Sequence, residues 1–314
     1  MSIVVPNFNH GHLIEEALSA MVNQTVRPFE IIVVDDASTD DSLTRLQSFK
    51  ASAPELQIHH HPENRGVAAA MNTGLDLVTG DFVLFSAADD RLALETVALA
   101  SAAAADFPST GIVFSDQAEM SADGTDARIV PFDLPQARRH FSGEEFIRLM
   151  QRNFFFFHVS SVWFNVALLR ALGGFRSALR WHCDLFVAYG AAFEDGATYV
   201  PGAVSYFRQS PHSYSAGARG GDAQSDALRA WLAATREPGW ETRRAAFVAA
   251  AIWPGHSLRA LGALRSDLAY ITPRLLRRAA WFALWGSIAP FVGEPLRRWM
   301  RGVRSRYRRL RAAG

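Results

Sequence analysis

Residues Asp81–Asp90 read DFVLFSAADD, and residues Ile31–Thr39 read IIVVDDAST. Each is a short apolar run that stops in carboxylates, the pattern of a buried strand ending at a polar edge. In an open parallel sheet, ligands bind in the crevice at the carboxyl ends of the strands. Acids just past two strand ends are therefore expected to face one shared site. Carboxylates with no obvious basic neighbours suit a divalent cation and a phosphorylated ligand. Hard oxygen donors select Mg2+ or Mn2+, and Mg2+ is commonly held by one or two carboxylates plus substrate phosphates. Asp89 and Asp90 are the candidate ligands. An Asp pair after a strand also opens turns and caps helices, so it is the second acidic strand end that turns the reading toward a site.

Outward from these strands, Ser2–Val5 is read as a first strand closed by Pro6, and Gly11–Asn23 as a helix with Leu13, Ile14, Ala17, Leu18, Met21 and Val22 at helical spacing. Phe29–Val34 is the second strand. Ser38-Thr39-Asp40-Asp41 starts a helix lined by Leu43, Leu46 and Phe49. Leu56–His59 is a weaker strand, Gly66–Val78 a helix and Asp81–Phe85 the fourth strand. Alternating strands and helices predict an α/β fold with a mainly parallel sheet and right-handed crossovers.

Further along, Arg91–Ala105 is predicted as a helix, Gly111–Ser115 as a strand ended by Asp116, and Ile129–Phe132 as another strand. Ser142–Met150 is a helix with a capping box formed by Ser142 and Glu145. The aromatic run Asn153–Ser161 (NFFFFHVSS) suits core or an interdomain wall, with a substrate platform as the alternative. Asn165–Leu172 and Trp181–Phe193 are helices, and Tyr199–Phe207 is one strand or two split by Pro201-Gly202. Past a hinge at Gly217–Asp222 everything is helical in character: Ala223–Thr235, Thr242–Ile252, Ser257–Tyr270, Pro273–Trp285 and Pro295–Arg311. The expected organisation is an α/β domain over residues 1–220 and a helical extension over residues 221–314.

The 314 residues, 49% hydrophobic, suffice for one large α/β domain plus an appendage. A formal charge of +1 gives no sign of a nucleic-acid partner, yet it conceals an asymmetry. From Gly255 onward thirteen arginines (Arg259, Arg265, Arg274, Arg277, Arg278, Arg297, Arg298, Arg301, Arg304, Arg306, Arg308, Arg309, Arg311) face only Asp267 and Glu294. Cys183 is the sole cysteine, which excludes an intrachain disulfide and a CxxC metal site and fits a reducing compartment. The opening SIVVPNFN shows no secretory pattern, so a cytoplasmic location is expected. The uncharged run Ala279–Gly293 is shorter than the roughly 20 residues of a spanning helix and carries Pro290.

The segments SIVVPNFNHGHLIEEALSAMVNQTVRPFEIIVVDDASTDDS and ENRGVAAAMNTGLDLVTGDFVLFSAADD together resemble glycosyltransferase family 2, the inverting enzymes with the GT-A (Rossmann-like) fold. The resemblance extends over roughly the first 215 residues and is most specific in the first 90. It implies a nucleotide-diphosphate sugar donor, a polysaccharide or lipid-linked glycan acceptor, and a divalent cation. Carried over by position, Pro6 and Asn9 fall in the first nucleotide loop, Asp36 with Asp35 beside it in the nucleoside position, and Asn64, Arg65 and Gly66 in the loop that closes over the nucleotide. At the metal motif, where the family has Asp, any residue, Asp, this chain has Ala87, Ala88, Asp89, followed by Asp90. Asp89 is thus the implied metal ligand.

The family also carries a Glu-Asp pair at a helix start after a Gly-Gly-Phe segment. Here Gly173-Gly174-Phe175 precedes Trp181-His182-Cys183-Asp184, with Cys183 in the Glu position and Asp184 in the Asp position. Inverting transfer needs a base for the acceptor hydroxyl proton, and the resemblance makes it Asp184; a first-turn acid favoured by the helix dipole is the alternative. His182 is expected to be structural. Arg208 and His212 lie in a segment similar to the family's closing loop, where they would meet the departing diphosphate; an arginine at a strand end also serves as plain surface charge. His59, His60 and His61 suggest a metal tract, but consecutive strand residues do not face one point, and a solvated strand end is expected.

The tail sets Trp281, Phe282, Leu284, Trp285, Ile288 and Phe291 among arginines, a pattern suited to a membrane interface, with a helical cap or an oligomer contact as alternatives. The location then becomes peripheral at the inner face of the cell membrane. Loss of the acid at Ala87 leaves room for a catalytically inactive nucleotide-sugar-binding partner subunit. A phosphoryl-transfer receiver lacks its phosphate-pairing lysine, since Lys50 is the only lysine, and a dinucleotide fold lacks GxGxxG after the first strand.

Overall fold

The computed structural model describes residues 1–154, 156–209, 222–254 and 261–288, and of Ala203 and residues 282–288 the backbone alone. The chain divides into two compact units, Met1–Phe146 with Phe156–Arg219, and Ile147–Phe155 with Gly220–Gly314.

In the first unit, β1 (Ser2–Asn7), β2 (Glu30–Asp35), β3 (Leu56–His60) and β4 (Phe82–Phe85) are parallel, with β1 between β2 and β4 and β3 beyond β2. Strands β1, β2 and β4 are buried at nearly every position because both faces are covered, whereas the edge strand β3 exposes Gln57, His59 and His60. Ile3, Val5, Ile31 and Val33 share one core with Ile14 and Leu18 of α1 (Gly11–Val22), Leu46 of α2 (Ser42–Lys50) and Val97 and Ala100 of α4 (Thr96–Asp106). On the opposite face α3 (Val67–Leu77) lies so close to β1 that a Cβ on Gly74 would overlap the Val4 side chain.

The rest of the sheet is mixed. Its order is β3-β2-β1-β4-β9-β6-β10-β5, with β7 paired to β6 and β8 to β10. Here β5 is Arg91–Leu92, β6 Ile112–Met120, β7 Ala127–Val130, β8 Arg139–Phe141, β9 Val162–Asn165 and β10 Ala197–Arg208. Strand β9 runs antiparallel to both β4 and β6, an antiparallel insertion in a sheet that is mainly parallel, as expected. The helix expected from Arg91 begins at Thr96, because Arg91 and Leu92 pair with Tyr206 and Ser205 of β10. Sheet pairing there outweighs the helix propensity of the alanine-rich stretch.

Strand β6 does not stop at Asp116. The Asp116 carboxylate is buried and accepts from Phe132 N (2.9 Å), Tyr199 Oη (2.8 Å) and Gly202 N (3.2 Å), so the strand continues past a satisfied acid. Pro201-Gly202 does not split β10 but shifts its register against β6. Within the aromatic run Phe157 is core, its ring 5.3 Å from Phe114 and 5.4 Å from Tyr189. Three further helices are α5 (Gly143–Arg152), where the Ser142–Glu145 capping box forms, α6 (Val166–Ala171) and α7 (Cys183–Asp195).

The second unit contains α8 (Asp222–Ala234), α9 (Glu241–Ala250) and α10 (Pro273–Ile288). Trp231 and Phe247 meet edge-to-face at 5.4 Å, and Arg244 grips buried Asp267 with contacts of 2.7 and 2.8 Å. Residues 263–266 and 268–270 are 3-10 turns rather than the expected single helix. The expected hinge at residues 217–221, the start of that helix and the helix Pro295–Arg311 lie outside the described residues. No helix among the described residues is long and apolar enough to cross a membrane.

Asp116→Ala removes the shared acceptor of three hydrogen bonds. It is expected to destabilise the fold by about 3 kcal/mol, read as a lower urea midpoint at unchanged slope.

Candidate active site

The carboxyl ends of β1, β2 and β4 lie side by side, and Asn7 is in register with Asp35. Asp35 is fully buried and accepts from Asn7 Nδ2 (2.7 Å), Ser38 Oγ (2.5 Å) and Ser38 N (3.1 Å), with His60 Nδ1 at 3.0 Å. Asn9, at φ 59°, takes the left-handed conformation that Asn tolerates, and its Oδ1 accepts from Thr39 N at 2.7 Å. The loop after Pro6 is thereby pinned to the loop after β2. Phe8 in the first of these loops is 42% exposed, an aromatic face that the sequence offered no way to place.

Asp36 is likewise turned inward. Its carboxylate accepts from Arg65 N (2.9 Å) and Gly66 N (2.7 Å), and His61 Nδ1 lies 2.7 Å away. His61 Nε2 is 3.0 Å from Thr73 Oγ1 on α3. This corrects the expectation of a solvated histidine end: His59 and His60 are exposed, but His61, one residue past β3, is buried as a clasp. Gly66 has φ +86°, a conformation costly for other residues, which lets the loop bend into α3. Asn64 and Arg65 are exposed. The two acids of the pair hold the loops, and the loops present the outward groups.

At the end of β4, Asp90 is buried and its Oδ1 accepts from Arg208 N at 3.1 Å. Burial, reinforced by the neighbouring Asp89 carboxylate, pushes the Asp90 carboxyl up to about 7. Asp89 is half-buried, and among the described residues no hydrogen bond reaches its carboxylate. Arg208, read as a phosphate contact or a surface charge, has a buried side chain. It donates from Nε to Asp89 O (2.8 Å), from Nη1 to Ala122 O (3.0 Å) and from Nη2 to Glu16 Oε2 (2.8 Å). It straps the Asp89 turn to α1 and to the turn that joins β6 and β7. No group of three or more His, Cys, Asp or Glu able to hold a metal occurs among the described residues. One unpartnered hard carboxylate fits a cation completed by phosphate oxygens and water, not a protein-only cage.

Asp184 sits in the first turn of α7, half-buried, with its Oδ1 accepting from Leu185 N at 2.7 Å. Burial pushes its carboxyl up to about 6. The approach to α7 is tied to α3: Asn72 donates from Nδ2 to Phe175 O (2.7 Å) and accepts from Phe175 N (2.8 Å). Gly174, at φ +65°, lies against Asn72, where a Cβ would come 2.5 Å from Oδ1. Arg180 holds φ 52° and ψ −128°, a sparsely populated conformation shortly before Asp184. Cys183, expected in the position of the family's Glu, is buried, and burial pushes its thiol up. His182 is half-buried, and His212 lies outside the described residues.

Residues 2–172, more than half of the chain, match the profile of glycosyl transferase family 2. The chain belongs to this family. A PGL/p-HBAD biosynthesis glycosyltransferase of Mycobacterium bovis is 34% identical over 116 residues, 37% of this chain and 45% of that protein. A poly(ribitol-phosphate) beta-glucosyltransferase of Bacillus spizizenii is 36% identical over 100 residues, 31% of this chain and 16% of the relative. The chain thus spans less than half the length of these family 2 relatives. Among solved structures, S. aureus TarS 1–349 in complex with UDP-GlcNAc superposes with a TM-score of 0.63 at 19% identity, covering 94% of this chain and 82% of the other. The Pyrobaculum calidifontis mannosyltransferase PcManGT in complex with GDP-Man and Mn2+ gives 0.57 at 24% identity, covering 99% and 85%. These likenesses give the fold, which is GT-A.

The raised Asp184 carboxyl means that the native state keeps a proton the unfolded chain has already lost. The burial penalty is fully present above about pH 6 and lifts as pH falls toward the ordinary carboxylate range. Asp184→Asn is therefore expected to raise the thermal midpoint at pH 7.5, with the gain shrinking below pH 6 and vanishing near pH 4. A midpoint difference that does not change with pH would count against this.

Proposed function

We propose that the chain is an inverting glycosyltransferase that moves a sugar from a nucleotide-diphosphate donor to a polysaccharide or lipid-linked glycan acceptor. The observation that carries this reading is the presence, within the first unit, of two differently disposed acids. Asp89 offers an unpartnered carboxylate at the end of β4, and Asp184 is a carboxyl raised toward neutrality at the start of α7. The names of the relatives support the acceptor class, and the donors bound to the structural neighbours support the donor class.

In this reading Asp184 accepts the proton of an acceptor hydroxyl as that oxygen bonds to the anomeric carbon. The bond from that carbon to the diphosphate oxygen breaks on the opposite face, and the diphosphate leaves with the electron pair. Asp89 is the residue that would hold Mg2+ or Mn2+, which would supply charge neutralisation at the diphosphate; the Pyrobaculum calidifontis neighbour in complex with GDP-Man and Mn2+ supports this ligand class. Arg208 and buried Asp90 set the turn that aims Asp89, with the guanidinium a short distance in sequence from the closing segment that carries His212. Asp35 and Asp36 fix the loops of Pro6, Asn9 and Asn64-Arg65-Gly66 around the nucleotide. Phe8 supplies an exposed ring of the type on which planar bases stack.

A second reading, a nucleotide-sugar-binding subunit without turnover, draws on Ala87 in place of the family's first acid. Kinetics with a panel of nucleotide sugars, with Mg2+, Mn2+ or chelator, separate the two. Asp184→Asn is expected to keep donor affinity and lose about 10²- to 10⁴-fold in kcat. Asp89→Ala is expected to lose the metal-dependent part of donor binding. In the wild type kcat/KM should rise with pH up to about 6 and then level, as a raised base requires. Donor binding with no turnover under any condition would establish the second reading. His61→Ala is expected to raise donor KM about tenfold while leaving kcat nearly unchanged, since it removes one of the hydrogen bonds to a buried charged group that hold the 64–66 loop. An unchanged KM would show that the loop holds its shape without the clasp.

A further inference from the structure

The second unit has a feature that sugar transfer does not use. Helix α10 buries Leu275 and Ala279, and Arg278 on the same side is folded inward. Its guanidinium lies 4.0 Å over the Phe154 ring and donates to Ala251 O (2.7 Å) and Met150 O (3.1 Å). The other side of the helix shows Leu276 49% exposed and Trp281 45% exposed, with Arg277 and Ala280 between them. The spacing 276, 277, 280, 281 puts these four on one helical stripe. Just upstream Leu268 is 69% and Ile271 38% exposed. An uncovered apolar stripe of this length marks a contact surface rather than scattered exposed residues.

Charge identifies the occupant. The only acid between residues 261 and 288 is Asp267, which is buried and neutralised by Arg244 and Arg236. Arg265 and Arg277 are exposed, and eight of the thirteen arginines counted above follow residue 288 against the single acid Glu294. We infer that the outer face of α10 lies in the interface of an anionic lipid surface, with Leu276 and Trp281 entering the acyl boundary and Arg265 and Arg277 meeting lipid phosphates. The inference rests on the second unit alone and stands independently of the chemistry proposed for Asp184.

The test is co-sedimentation of the full chain with phosphatidylcholine vesicles, with and without phosphatidylglycerol. Binding should require phosphatidylglycerol and weaken as salt rises. Arg277→Glu, a change of two charge units, should weaken it by roughly tenfold, and Leu276→Glu with Trp281→Glu should abolish it. Circular dichroism and donor binding should be unchanged in both variants, since these side chains are exposed and outside the transfer site. Equal binding to uncharged vesicles overturns the inference. So does failure to bind vesicles accompanied by self-association that the double variant abolishes, which assigns the face to a second copy. Preferential binding to duplex DNA overturns it as well.

Discussion

The buried carboxylate of Asp36 is the constraint on which the first unit is arranged. A carboxyl group removed from water must be met by hydrogen-bonding partners, and here two backbone N–H groups and one imidazole meet it. Those partners come from the segment that bends into α3, so satisfying the carboxyl group fixes where the helix begins. Gly74 then lets α3 lie flat on β1, and Asn72 reaches from the same helix to the Gly174-Phe175 backbone. A single acid at the end of β2 is in this way connected, bond by bond, to the segment that delivers Asp184.

Acids of one chemical type are sorted here by what surrounds them. Asp35, Asp36 and Asp116 are enclosed and fully employed in holding backbone. Asp90 is enclosed and supports Arg208, while Asp89 next to it keeps an open carboxylate. Asp184 is half-enclosed, with one backbone donor, and burial moves it toward neutrality. Position along the sequence does not separate these roles, because the carboxylates of Asp89 and Asp90 differ only in the direction each takes from the turn.

What the sequence revealed follows from local physics. Alternating apolar strands and amphipathic helices up to Phe85 were readable because β1, β2 and β4 are covered on both faces and carry uninterrupted aliphatic runs. The acids at the ends of β2 and β4 were readable because charge after such a run has few other places to go. The mixed half was not, since β5 and β9 are short and owe their strand conformation to partners more than a hundred and about eighty residues away in sequence. The same holds for side-chain direction. Nothing local marks His61 as buried and His60 as exposed, nor Arg208 as a strap, because each depends on a contact made by another strand or turn. The family likeness pointed to Asp89 and Asp184, and the structure added contacts that no likeness marked: His61 on Asp36 and Thr73, Asn72 on the Phe175 backbone, and Glu16 on Arg208.

Cys183 has a use beyond any part in the transfer site. It is the sole thiol of the chain, it is buried, and it is adjacent to Asp184 in the opening turn of α7. A thiol reagent reaches such a sulfur only when that turn opens, so the rate of modification measures local unfolding at this one place. The protein therefore carries an intrinsic reporter on the stability of the segment that holds its candidate base, readable without any label and separable from events elsewhere in the molecule.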